Sequence, residues 1–388
     1  MKFHSVISDL ESTPRAKDAI VTELRAALGR IDVAFVFFTA HHSPHSPMLV
    51  ESLRSELNAK VLIGCSGEGV IGGGAEIERE LGISVLAGQM DGVEVHPIRI
   101  ATDDWRGLLS QPEHFQKQLG IATDTRAVIG FGDPWTTPLN QFMQAMDMLA
   151  PRVPLIGGMA SAARSAGENV LICDDQTADE GFVGVSLSGA LEVETLVSQG
   201  ARPIGQPMVI TRGRDNVIEQ LGGKPPMQAL EEIFAELPDG DRMLLQHGLL
   251  IGRAISEYRE EFGRGDFLVR NITGADEKTG SMALTDHIRI GQTVQFHVRD
   301  AASADEDLRL MLETAAKSGS FEASLLFSCN GRGSRMFDSP NHDISVSSEL
   351  LPKTPVAGFF AAGELGPVGG RNFIHGHTAS FALLRNEK

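Results

Sequence analysis

Residues 64–69, Gly-Cys-Ser-Gly-Glu-Gly, place a thiol, a hydroxyl and a carboxylate on a nearly bare backbone, directly after the apolar run 61–63. Three chemistries use a similar spelling. Gly67, Gly69 and Gly72 read G-x-G-x-x-G, but dinucleotide binding needs a helix behind those glycines and an acid ending the next strand. Here Gly72, Gly73 and Gly74 oppose a helix, and Asp91 falls in a turn. The nucleophile elbow G-x-S-x-G fails because Glu68 stands where the second glycine belongs. Cys65 could act as a nucleophile if the glycine backbone donated N–H groups and a histidine came from elsewhere. A cysteine that ends a buried strand otherwise serves as a small apolar filler.

Further polar clusters sit at comparable places. The stretch 328–337, SCNGRGSRMF, carries Asn330, Arg332 and Arg335 with two glycines, suited either to a forked contact with a carboxylate or phosphate or to internal salt bridges. Residues 369–380 hold Arg371, Asn372, His375 and His377. Were this one strand, the two histidines would share a face, as metal ligands or a polar pocket wall would. No third ligand has zinc-site spacing, so no metal is expected. His41, His42 and His45 lie on a proline-containing loop. Each cluster follows a predicted strand, and ligands of α/β folds commonly sit at the carboxyl ends of strands. The candidate ligand-binding set is Cys65, Ser66, Glu68, Asn330, Arg332, Glu364, Arg371, Asn372 and His375. Within it Arg332, Arg371 and Asn372 would hold an anionic group such as an amino-acid carboxylate. No cofactor is called for.

The elements that must position these residues repeat. Helical spacing covers 13–29 and 47–57, buried strands 32–39 and 60–64, and ISVLAG with VEVHPIRI forms an expected hairpin around Asp91-Gly92. About ninety residues on the order recurs: a helix over 104–119, strand 127–133, helix 138–150, strand 153–158, and a hairpin in 181–198. The second half returns parts of it. A helix at 226–237, a strand at 244–252, antiparallel strands at 267–272, 281–287 and 293–300, and a helix opened by a Ser303–Glu306 capping box come first. A strand within 323–333, a strand with a glycine-rich turn within 354–370 and a final strand at 372–384 follow. The expectation is an α/β protein of two similar halves with mixed sheets, built from helix-strand-helix-strand-hairpin units and joined near 200–208. Gly67-Glu68 and Gly363-Glu364 mark equivalent turns, one in each half.

With 388 residues, 42% of them hydrophobic and 22% charged, the chain reads as globular with room for more than one core. Its net charge of -17 opposes non-specific binding to phosphate backbones or anionic lipid, so neither nucleic acid nor membrane is an expected partner. The three cysteines, Cys65, Cys173 and Cys329, are too scattered for a disulfide framework and fit a reducing cytoplasm. The opening residues lack an apolar signal core, so export is not expected.

GCSGEGVIGG, ITRGRDNVIEQLGGKPPMQAL and SCNGRG followed by GFFAAGELGPVGGRNFIHGHTAS resemble, in this order, the FIST family, named for F-box and intracellular signal transduction proteins. The resemblance implies an N-terminal domain over 1–205 and a C-terminal domain over 206–388. It also implies a sensor of small ligands such as amino acids or small carboxylates, acting with a separate signalling protein. The expected ligand lies between strand-end loops of the two halves. The alternative is an enzyme using Cys65 or Glu68 with a histidine; a third reading, an interaction scaffold, predicts an exposed apolar patch and no pocket.

Overall fold

The computed structural model describes residues 1–245, 248–258, 262–263 and 265–387. It is a mixed α/β protein, as expected, and its chain divides into two compact units. The larger comprises Met1–Val197, Leu308–Ile374 and Thr378–Lys388; the smaller comprises Ser198–Asp307 and His375–His377. Residues 205 and 206, where the sequence reading divides the chain, lie within the strand Ala201–Arg214, and the compact units are cut elsewhere.

Three six-stranded sheets make up the larger unit among the described residues, and all share one order. In the first, Val33–Thr39 and Val61–Gly67 run parallel, with Ile83–Gln89 and then Lys2–Ser8 antiparallel on one side. Thr125–Gly132, Leu155–Met159, Phe182–Gly189 and Val93–Ile100 repeat this arrangement. Ala323–Cys329, Val356–Ala361, Thr378–Asn386 and Leu191–Gln199 do so again. Residues 33–39 alternate faces as a strand must. Val33, Phe35 and Phe37 join an apolar cluster shared by all three sheets, while Ala34, Val36 and Phe38 pack with the helices Thr13–Ala27 and Ser46–Leu57. Corresponding outer layers cover the second and third sheets.

Each sheet is completed by a hairpin from another copy. Gly69–Gly72 and Ala75–Glu78, following the first copy's strands, pair onto the third sheet. Leu171–Cys173 and Gln176–Ala178 pair onto the first, and Glu364–Val368 with Arg371–His375 onto the second. Sharing strands in a cycle ties the three copies into one hydrogen-bonded assembly.

This topology corrects several local expectations. ISVLAG and VEVHPIRI form no hairpin, because the former closes the first sheet and the latter opens the second. The same holds for the hairpin expected in 181–198. The helix expected over 104–119 breaks into Trp105–Ser110 and Pro112–Gln118, since Pro112 cannot continue the earlier turn. The helix Ala301–Ser318 is capped by Asp300, whose carboxylate accepts from the backbone N–H of Ala302 (3.1 Å) and the Ser303 hydroxyl (3.0 Å), so the Ser303–Glu306 box is not its start. The strand expected over 244–252 begins at Leu249, after a helix Asp239–Leu245; Gln246 and His247 lie outside the described residues. The last expected strand is interrupted at Gly376-His377, where His377 has φ of 62°, so His375 and His377 do not share one strand face.

The smaller unit is a closed barrel of Ala201–Arg214, Val217–Leu221, Ser281–Leu284, Phe267–Asp276, Leu249–Ala254 and Thr293–Arg299. Its interior packs Ile204, Ile210, Ile251 and Phe296. Along the chain it is inserted between the first strand of the third copy and that copy's helix.

Candidate functional site

The loop that follows Ala323–Cys329 closes over the hairpin 69–78. Gly333 permits this: its φ is 54°, and a Cβ there would stand 2.6 Å from the Glu78 carboxyl carbon. Glu78 accepts hydrogen bonds from the Ser334 N–H and hydroxyl, each at 2.8 Å, and Arg79 donates to the same hydroxyl at 2.8 Å. Arg335 grips Glu68 with both terminal guanidinium nitrogens, at 2.9 and 2.5 Å, and donates to the Asn330 carbonyl at 2.7 Å. Such forked pairs set orientation as well as energy. Glu68, Gly69, Glu78, Arg79, Asn330, Arg335 and Phe360 line a shallow recess with a cavity volume of about 10 Å³.

Beneath it lies a buried charged cluster. Arg332 is fully buried and donates from Nε and Nη2 to Asp343 at 2.8 and 2.7 Å. Ser328 donates to Asp343 at 2.8 Å, and the His342 ring, 2.9 Å from the same carboxylate, stacks on Phe337. Burial pushes the Asp343 carboxyl up, but the attraction and hydrogen bonds of Arg332 outweigh it and hold the acid ionised well below the usual range. Glu76 has no such partner. Its Oε1 accepts from the Ile344 N–H at 2.9 Å, while burial and then the Asp343 charge raise its pKa to about 8. Glu364, also fully buried, accepts from the Thr378 N–H (3.2 Å) and hydroxyl (2.8 Å), and burial raises it to about 8. Both acids are therefore mostly neutral at pH 7. Four buried polar atoms here, Glu76 Oε2, Asn330 Oδ1, Arg332 Nη1 and Glu364 Oε1, take no hydrogen bond among the described residues. Such atoms are uncommon in folded proteins and concentrate where something polar binds or reacts.

Of the sequence candidates, Glu68, Asn330, Arg332 and Glu364 meet in this region. Cys65 does not. It is fully buried in the apolar cluster that contains Phe37 and Phe359, and burial drives its thiol well above the ordinary range, which removes it as a nucleophile. Ser66 is equally buried, its hydroxyl accepting from the Val170 N–H at 2.8 Å. Arg371 and Asn372 lie at the edge of the second sheet. Asn372 accepts from the Leu155 N–H (2.7 Å) and donates to Asp147 (3.2 Å) and the Val153 carbonyl (3.2 Å), and exposed Arg371 reaches Asp147 at 3.4 Å. They latch hairpin to helix. His375 is buried at a strand end and grouped with the smaller unit. His42 is buried beside Thr13 (2.8 Å), and burial, then His41 and His45, lower it to about 4, leaving a neutral structural imidazole. No metal-binding cluster occurs among the described residues.

Sequence reasoning missed Glu76, Glu78, Arg79 and Asp343. Glu76 and Glu78 alternate in a strand that reads as a turn flank, and Asp343 opens the helix His342–Leu350, where an acid normally signals favourable helix electrostatics rather than an arginine site.

The FIST N domain matches residues 32–224 and the FIST C domain residues 226–367. An uncharacterized protein of Mycobacterium bovis is 37% identical over 380 residues, covering 96% of this chain and 97% of that protein. One of Mycobacterium tuberculosis is 38% identical over 355 residues, covering 91% of each. Among solved structures, similarity extends to a cyanuric acid hydrolase, with a TM-score of 0.33 and 10% identity over 100% of both chains. The two domain matches, adjoining and together spanning most of the sequence, place this chain in the FIST family.

Proposed function

We propose that this protein is a small-molecule sensor whose ligand is a zwitterion of amino-acid size, held where the CNGRG loop meets the hairpin 69–78. The observation that carries this reading is the lining of the recess: two carboxylates, Glu68 and Glu78, and two guanidiniums, Arg79 and Arg335, with the Asn330 amide and the Phe360 ring. An amino acid presents an ammonium and a carboxylate at short separation and meets a complementary group for each. The Arg335–Glu68 fork would open to receive it, exchanging an internal pair for two intermolecular ones. With the fork closed the recess has room for about one water molecule, so a ligand enters only as the Arg335–Glu68 pair opens. Both sequence halves contribute side chains, so occupancy bears on how they hold together. FIST domains are in general ligand-sensing domains of signal transduction, which supports a sensory role. We take the setting to be cytoplasmic and the output to pass to a separate signalling protein; no helix among the described residues is long and apolar enough to cross a membrane.

A thermal-shift screen with the common amino acids and small carboxylates tests this. A true ligand raises the melting temperature progressively, by the equivalent of about 2.7 kcal/mol at a hundredfold excess over Kd. Arg335→Ala and Glu68→Gln should abolish the shift, and Arg371→Ala should leave it unchanged. Absence of any shift, or a shift lost in Arg371→Ala but kept in Arg335→Ala, overturns the assignment.

A further inference from the structure

We propose that Cys329 is a reactive thiol, open to oxidation by peroxides and to alkylation by small electrophiles, with Glu364 as the proton donor to the peroxide leaving group. This does not depend on the ligand reading above. Cys329 ends its strand half-buried, and its sulfur accepts from the Gly331 N–H at 3.4 Å. Two guanidiniums on the same loop, Arg332 and Arg335, are electrostatically attracted to it. Cationic neighbours and backbone N–H groups favour the thiolate, which is the nucleophilic form. Each guanidinium is also held by a carboxylate, Asp343 or Glu68. Glu364 lies beside the sulfur, and burial keeps that acid mostly neutral at pH 7.

The second observation is that Glu364, fully buried beside this thiol, has an Oε1 without a hydrogen-bond partner, and Arg332, fully buried on the same loop, has an Nη1 without one. A protonated carboxyl held there serves no packing role that a glutamine would not. In the proposed step the Cys329 thiolate attacks one peroxide oxygen. An S–O bond forms at the expense of the O–O bond, so sulfur is oxidised and the peroxide reduced. The departing oxygen takes the Glu364 proton, which for hydrogen peroxide yields water, a Cys329 sulfenic acid and a Glu364 carboxylate that reprotonates from solvent.

The remaining cysteines are internal controls. Cys173 is also half-buried, but burial and then Asp174 push its thiol up to about 11, and Cys65 is sealed in the core. Mass-spectrometric rates of iodoacetamide labelling on the folded protein at pH 7 should show Cys329 reacting at least about tenfold faster than Cys173, with Cys65 unlabelled. Dimedone capture after hydrogen peroxide treatment should locate the sulfenic acid at Cys329. Glu364→Gln should slow sulfenic acid formation by about tenfold or more while changing iodoacetamide labelling by less than about twofold, because iodide departs without a proton. Labelling of Cys329 no faster than Cys173 overturns the proposal, and that comparison needs no variant. Equal effects of Glu364→Gln on both reactions, or none on either, overturn the role of Glu364.

Discussion

At the scale of single residues, the site is governed by which buried acids have a cation. Asp343 is hydrogen-bonded to Arg332 and stays ionised; Glu76 and Glu364 feel that guanidinium only weakly and mostly carry protons at neutral pH. This has a consequence for stability. Between the ordinary carboxylate value of 4.5 and the folded value of about 8, the native protein holds a proton at each of these acids that the unfolded chain has released. Their contribution to stability is therefore complete below about pH 4.5 and is lost as the pH rises toward 8. Urea denaturation of the wild type, Glu76→Gln and Glu364→Gln at several pH values should show each variant near the wild type in acid and more stable than it above pH 8. A wild-type-to-variant difference that stays constant across the range would contradict this account.

Among the elements, the glycine-rich strands owe their composition to close backbone approach rather than to a bound phosphate. Gly64, Gly157 and Gly358 occupy the same register in the three parallel pairs, opposite Val36, Gly130 and Leu326. A Cβ at these glycines would stand 1.8, 1.9 and 1.7 Å from the facing carbonyl oxygens. No side-chain rearrangement relieves a clash with backbone. Each glycine-to-alanine variant should lose more than about 3 kcal/mol in chemical denaturation or fail to accumulate in soluble form, as backbone strain of this kind does. Gly29→Ala, with nothing within 4 Å of the added methyl, should be nearly neutral. Soluble, wild-type-like stability in any of the three would mean that the strands can part locally. The shared hairpins have a related logic. Counted from their turns, Glu68 and Glu364 are equivalent, as the sequence suggests, yet one pairs with an exposed arginine and the other is buried as an acid.

In the larger unit taken whole, three copies meet at a triangle of phenylalanines. Phe37, Phe131 and Phe327 hold the same position of the same strand in successive copies, with ring centroids 5.2, 6.3 and 5.7 Å apart, and Phe359 stacks on Phe37 at 5.2 Å. Each truncation to alanine should cost about 3–5 kcal/mol. Because the rings share contacts, double-mutant cycles between any two should depart from additivity by about 0.5 kcal/mol or more. Additive losses would show that the copies are stabilised separately and only lean on one another.

The sequence by itself determined the secondary structure of the regular segments, the repeat, and the family. These rest on local periodicity and on wording that survives without any knowledge of neighbours. It also singled out Glu68, Asn330, Arg332 and Glu364, because polar residues on glycine-rich strand ends stand out against an apolar background. Only the tertiary structure decided that ISVLAG and VEVHPIRI belong to different sheets, since strand partners are chosen by burial of whole faces and not by the turn between two strands. It likewise decided that Cys65 is core while Cys329 borders the charged cluster. Both lie in the later part of strands that pair in parallel, and what separates them is their surroundings: aromatic rings for one, guanidiniums and a buried acid for the other.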